Sequence, residues 1–163
     1  MATETNHIYG LDPGTGSQRW SRYLGTPFDP SNIPCGDLSP SVGVTGTPVI
    51  DQDTGTAYFV SKTYESGGSG VAALYMHAVS VTSGAERHGF PVKIRGTAQN
   101  DPTKSFSGTY ELQRPGLLLM DGVVYAAFGG HCDTGSYYGW VAGVSTSGQL
   151  RALWVARANG SGA

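Results

Sequence analysis

The chain has 163 residues, a net charge of −2 at neutral pH and only 13% charged residues, against roughly 25% in an average soluble domain. That balance excludes the basic surface that nucleic-acid binding needs, and no run approaches the roughly 18 apolar residues of a membrane-spanning helix. Twenty-five glycines, about twice the usual share, beside a normal 39% hydrophobic content, exclude a helix bundle or a disordered tail and predict many short strands joined by tight turns.

In chain order, "MATETNHIYG" shows neither the basic n-region nor the apolar h-region of a signal peptide. A strand over 7–12 then runs into "GLDPGTGSQRW" (10–20). There Asp12 and Thr15 are expected to hydrogen-bond the turn backbone, Gly14 and Gly16 to supply positive φ, and Trp20 to lie against a neighbouring sheet. A long connection over 24–46 contains "CGDLSP" with Cys35 and Asp37. Strands are predicted next at 47–51, 56–63, 72–81 and 86–95, with hairpin turns at Asp53-Thr54-Gly55 and Thr82-Ser83-Gly84. "GSGVAA" (68–73) matches a dinucleotide loop on paper, but the strand-like "LYMHAVSV" follows where a helix is required, so the match is rejected. After a connection over 95–114, "LLLM" (117–120) and "VVYAAF" (123–128) run apolar without a break, which predicts strands covered on both faces. The loop "GGHCDTGSYYGW" (129–140) carries His131, Cys132, Asp133, Tyr137 and Tyr138, and two further strands lead to about residue 157. No useful 3.6-residue apolar period occurs, so helix is expected to be scarce.

Two hairpins recur. "HIYGLDPGTGSQRW" (7–20), "YMHAVSVTSGAERH" (75–88) and "WVAGVSTSGQLRALW" (140–154) align on Gly16, Gly84 and Gly148, at spacings of 68 and 64. "TPVIDQDTGTAYFVSK" (47–62) aligns with "PGLLLMDGVVYAAFGG" (115–130), with Tyr58 and Tyr125 67 residues apart. Four strands per period, covered on both faces, predict an all-β chain forming part of a β-propeller of four-stranded antiparallel blades. The expected division is a single partial domain over 1–163: a half blade over 1–24, a blade over 41–95 and a blade over 115–157. Arg19, Arg22, Arg87, Lys93, Arg95, Arg151 and Arg157 all fall on predicted fourth strands, where charge protects an exposed edge. Two and a half blades do not close a ring, which typically takes 4–8. The missing blades are expected from a longer parent chain or, alternatively, from self-association.

The first turn resembles the tryptophan-docking repeat of quinoprotein dehydrogenases, Ala-x-Asp-x-x-Thr-Gly-x-x-x-Trp. Asp12, Thr15, Gly16 and Trp20 match, and Gly10 replaces the alanine. The second copy keeps only Gly84, with Ser80, Ser83 and His88 at the other positions. "CGDLSPSVGVTGTPVIDQDTGTAYFVSK" and "LQRPGLLLMDGVVYAAFGGHCDTGSYYGWV" resemble the pyrroloquinoline-quinone-like repeat branch of that family. The resemblance implies a propeller. It also implies, for a full-length parent, a quinone-dependent alcohol or sugar dehydrogenase with pyrroloquinoline quinone and calcium, in a periplasmic or secreted setting. The adjacent cysteines and calcium carboxylates of such enzymes have no counterpart here, so no cofactor is expected in this chain and no catalysis by it alone. The alternative is a non-catalytic binding or scaffold module.

Either way the candidate binding residues lie on the face formed by the long connections: Cys35, Asp37, His131, Cys132, Asp133, Tyr137 and Tyr138. The 129–140 loop reads as a polar, aromatic-lined binding loop at a channel mouth, or as a glycine turn whose His and Asp satisfy backbone groups. Cys35 and Cys132 read either as a pair or as two unrelated thiols, and no zinc spacing is present.

Overall fold

The computed structural model describes residues 1–34, 38–135 and 137–156. It is all-β, with one three-residue 3-10 turn, Pro30–Asn32, as its helical content among the described residues. Among the described residues no helix is long and apolar enough to cross a membrane.

The strands form three antiparallel sheets, none of them closed. The first pairs β1 (His7–Leu11) with β2 (Gln18–Tyr23). The second is a meander of β3 (Val49–Asp51), β4 (Thr56–Tyr64), β5 (Ala72–Ser80) and β6 (Val92–Lys93). In the third, β7 (Glu111–Leu112) and β8 (Leu118–Met120) both pair with β9 (Val123–Gly130). From there β10 (Trp140–Ser145) and β11 (Leu150–Val155) complete the sheet.

The turn chemistry explains the hairpins. Asp12 Oδ1 accepts from the Gly14 and Thr15 amides, each at 2.9 Å, and from the Thr15 hydroxyl. Asp51 does the same for Asp53 and Thr54, because "DQDTG" repeats the Asp-x-x-Thr-Gly spacing of "DPGTG". Each loop then leaves through a glycine at positive φ, 71° at Gly16 and 59° at Gly55, a conformation that costs glycine little. The Arg19 guanidinium, foremost, and the Thr15 and Gly14 bonds draw the Asp12 carboxyl down to about 2. A depressed carboxyl stabilises fully above its ordinary value of 3.8 and loses that contribution as pH falls through about 2. An NMR titration of Asp12 is therefore expected to show a midpoint well below 3.8; an ordinary midpoint would mean that the turn is not formed in solution.

The sheets stack face to face. Tyr58, Val60, Leu74, Met76 and Ala78 of the second meet Val124, Ala126, Trp140, Ala142 and Val144 of the third in the main core. Ile8 of the first sheet meets Phe59 and Val79 on the opposite face of the second. This accounts for the unbroken apolar run of β4, which is covered on both sides. The third sheet is covered on one face only: Leu118, Met120, Val141 and Trp154 are exposed on the other.

The fourth strand of the second sheet is shorter than the 86–95 expected. The Arg87 amide still reaches the Ala78 carbonyl, and the Ile94 amide reaches that of Leu74. Between them the chain leaves the sheet at Gly89, at φ 86°, and Pro91 has no amide to donate. The basic residues of the fourth strands also do more than guard an edge. Arg22 bonds Glu86 across two sheets at 2.9 Å, and Arg87 donates to the Thr54 and Gly55 carbonyls of the neighbouring turn. Arg95 and Arg151 are exposed, and Arg157 lies outside the described residues.

Candidate functional site

Two features stand out from the stack. One is the key between sheets. Trp20 leaves β2, donates its indole N–H to the Val81 carbonyl at 2.9 Å, and lies on Gly84. A Cβ at Gly84 would stand 2.5 Å from Trp20 Cε3. Gly10, beneath the other side of the ring, would place a Cβ 2.1 Å from Nε1. Only hydrogen at both positions lets the indole seat. The equivalent turn glycine of the third sheet, Gly148, is met by backbone instead: a Cβ there would stand 2.4 Å from the Gly89 carbonyl oxygen. His88, at the tryptophan position of the second copy, is exposed.

The other is a buried polar cluster where the long connections meet. Lys62 sits in β4 between the buried Ser61 and Thr63 and is 1% exposed. Its ammonium donates to the carbonyls of Thr109 and Glu111, each at 3.0 Å, and to His131 Nδ1 at 2.9 Å. Three N–H groups thus find three acceptors. The Phe28 ring faces the same ammonium at 4.5 Å from its centroid, a cation–π contact. Glu111 Oε1 accepts from the Trp140 indole at 3.1 Å and the Tyr138 amide at 3.2 Å. Burial governs the protonation of all three groups: it draws Lys62 down to about 7, pushes Glu111 up to about 7 and draws His131 down to about 4. With Nδ1 accepting, the neutral imidazole carries its hydrogen on Nε2.

His131 is fully buried, so the structure does not place it at a channel mouth. It holds the loop: its amide bonds the Tyr110 carbonyl, and its carbonyl accepts from the Thr134 hydroxyl. Tyr137 lies on Gly130 as Tyr110 lies on Gly135, both contacts that a Cβ would block. Tyr138 spans inside and outside, its amide on Glu111 and its hydroxyl accepting from Lys104 at 2.9 Å. Cys132 is disulfide-bonded; Cys35 and Asp37 lie outside the described residues. Asp133 is exposed and, with Leu38, Leu112, Arg114, Gly130 and Cys132, borders an open cavity of about 300 Å³.

Lys62 and Glu111 escaped the sequence reading. A lysine directly after the apolar run "AYFV", within the same strand, was the available signal, since a buried lysine needs a built partner. Glu111 lay in a connection that showed no pattern.

Among the described residues no three of His, Cys, Asp and Glu gather where they could hold a metal ion. Four carboxylates are committed to the fold: Asp12 and Asp51 to turns, Glu86 to Arg22 and His77, Glu65 to Lys93. Compared with protein-family models, curated proteins and solved structures, the chain matches none of them.

Proposed function

We propose that the chain is a run of propeller blades of the quinoprotein-like repeat type, and that by itself it serves as a non-catalytic scaffold whose loop face offers a binding surface. The observation that carries this reading is the keyed stacking: Trp20 seated on the Gly84 turn, and Gly89 on the Gly148 turn. Sheets joined at the same turn glycine, once by an indole and once by backbone, form an array with a fixed direction.

The buried cluster supports a scaffold role as well. Catalysis by a lysine or histidine requires that it reach substrate. Lys62 and His131 are enclosed, and the lysine's three donors are taken up in tying β4 to the 109–111 and 129–135 segments. One surface open to binding on the long-connection side is the cavity beside Arg114, Cys132 and Asp133.

Calorimetric titration of the chain with pyrroloquinoline quinone, with and without calcium, tests the reading. The expected result is no heat beyond dilution. Tight stoichiometric binding would overturn the non-catalytic assignment.

A further inference from the structure

The fourth strand of the second sheet is short, and a groove opens beside it. β5 begins at Ala72, but β6 pairs with it only at Tyr75 and Met76, with one further bond from the Ile94 amide to the Leu74 carbonyl. Ala72 and Ala73 lie beyond that pairing. The 105–109 segment crosses there instead, and a glycine lets it come close: a Cβ at Gly108 would stand 2.3 Å from the Ala72 carbonyl oxygen. Between this segment and residues 93–95 lies a groove of about 530 Å³, larger than the cavity beside Arg114. Its 105–109 wall is fixed from behind. The Glu111 amide bonds the Ser107 carbonyl, and Lys62 holds the Thr109 carbonyl at 3.0 Å. The Phe106 ring stands edge-on to Phe128 and Trp140, at 5.0 and 5.5 Å between centroids.

The polar groups of the groove are of two kinds. Ser105, Ser107 and Thr109 line it, and their hydroxyls make no hydrogen bond among the described residues. Each hydroxyl can both donate and accept. Two cations stand on the opposite side. Lys93 is neutralised by Glu65, whereas Arg95 is exposed and its guanidinium has no partner among the described residues. Ile94 and Phe106 supply apolar lining. A cavity of this size with a few convergent polar groups has the form of a small-molecule site. We propose that the groove binds a polyhydroxylated carboxylate, a sugar acid of hexuronate size. The planar guanidinium takes the carboxylate through two parallel donors. The three hydroxyls exchange hydrogen bonds with the ring hydroxyls, and the C–H face of the sugar lies on Phe106. A phosphate fits less well, because its second charge calls for a second free cation and Glu65 already occupies Lys93. The site needs only the second sheet and the 105–109 segment, so its test is independent of the quinone titration.

Amide NMR of the isotope-labelled full chain, titrated with sodium D-glucuronate at constant ionic strength, tests the proposal. The expected result is a saturable shift of the Arg95, Ser107, Gly108 and Thr109 amides, with dissociation in the millimolar range. D-Glucose and sodium acetate each carry half of the recognised chemistry and should bind at least about tenfold more weakly. Arg95→Gln, at an exposed position, should weaken glucuronate by at least about tenfold, the loss of a charge-assisted hydrogen bond. Ser107→Ala should weaken it severalfold, and Thr109→Val takes its place if the spectrum shows Ser107→Ala disturbed away from the groove. A titration without a saturable shift overturns the proposal. So does glucose or acetate binding as tightly as glucuronate, glucose 6-phosphate binding more tightly than glucuronate, or an Arg95→Gln chain that binds as the wild type does.

Discussion

Replacing Lys62 by alanine is expected to cost about 3–5 kcal/mol, the range for removing one member of a buried polar cluster. The loss is not the side chain's apolar stem alone. The carbonyls of Thr109 and Glu111 and the Nδ1 of His131 would all lose their donor in an enclosed site, and each unsatisfied buried acceptor costs about 1–3 kcal/mol unless water enters. Lys62→Met keeps the stem and Phe28's packing partner but not the donors, so it falls between wild type and alanine. Chemical denaturation of the three proteins under one buffer gives the order directly. An alanine variant within about 0.5 kcal/mol of wild type would mean that the cluster is hydrated and contributes little.

The same lysine gives the protein an unusual pH dependence. Its folded value, about 7, lies below its ordinary 10.5. Between those values the unfolded chain binds a proton that the folded chain does not, so stability rises with pH across that window. Glu111 acts in the opposite sense: raised from 4.5 to about 7, it makes stability fall as pH rises between those values. His131, lowered from 6.5 to about 4, makes stability rise between 4 and 6.5 and so offsets most of the Glu111 slope. The net expectation is a flat region on the acid side and a climb above pH 7. The climb is bounded by about 1.4 kcal/mol per pH unit for one proton and is absent in Lys62→Met. A climb of equal size in that variant would assign it to other groups.

The second large effect belongs to the key between sheets. Trp20→Ala is expected to destabilise by about 3 kcal/mol, the low end for truncating a large aromatic, because part of the ring stays in solvent. Gly84→Ala attacks the same contact from the other side. Its backbone, at φ 70°, costs a methyl-bearing residue about 1–2 kcal/mol, and its Cβ would displace the indole. The two changes are therefore expected to be non-additive. In a Trp20→Ala background, Gly84→Ala should cost only the backbone share, leaving a coupling of at least about 1 kcal/mol. A double variant whose loss equals the sum of the singles would show that the ring does not rest on this glycine.

Much of this arrangement was legible in the residues. The turns carry their own instructions: an Asp or Ser that accepts from the turn amides, then a glycine at positive φ, at Gly16, Gly55, Gly84 and Gly148. Their spacing exposes the repeat, and the continuous apolar run of "AYFV" reports a strand buried on two faces. The cluster was not legible for a physical reason. Lys62, Glu111 and His131 come from three segments far apart in the chain and meet only when the second and third sheets are stacked. No local period encodes such a meeting. His131 was singled out for the company it keeps in sequence, beside Cys132 and Asp133, yet its side chain turns inward to Lys62 while Asp133 stays at the surface. The break in the fourth strand at Gly89 and Pro91 was visible as composition, but its purpose, reaching the Gly148 turn, belongs to the neighbouring sheet.

The central claim is that successive sheets are locked in one direction at their turn glycines, the first pair by the Trp20 ring resting on Gly84 and the second by the Gly89 backbone against Gly148. Proton NMR at the Trp20–Gly84 contact tests it most directly. The account predicts strong nuclear Overhauser effects from the Trp20 Hε3 and Hζ3 protons to the Gly84 Hα protons, which should also be shifted well upfield by the ring current. Gly84 Hα protons at ordinary glycine shifts, with no such effects to Trp20, would contradict it.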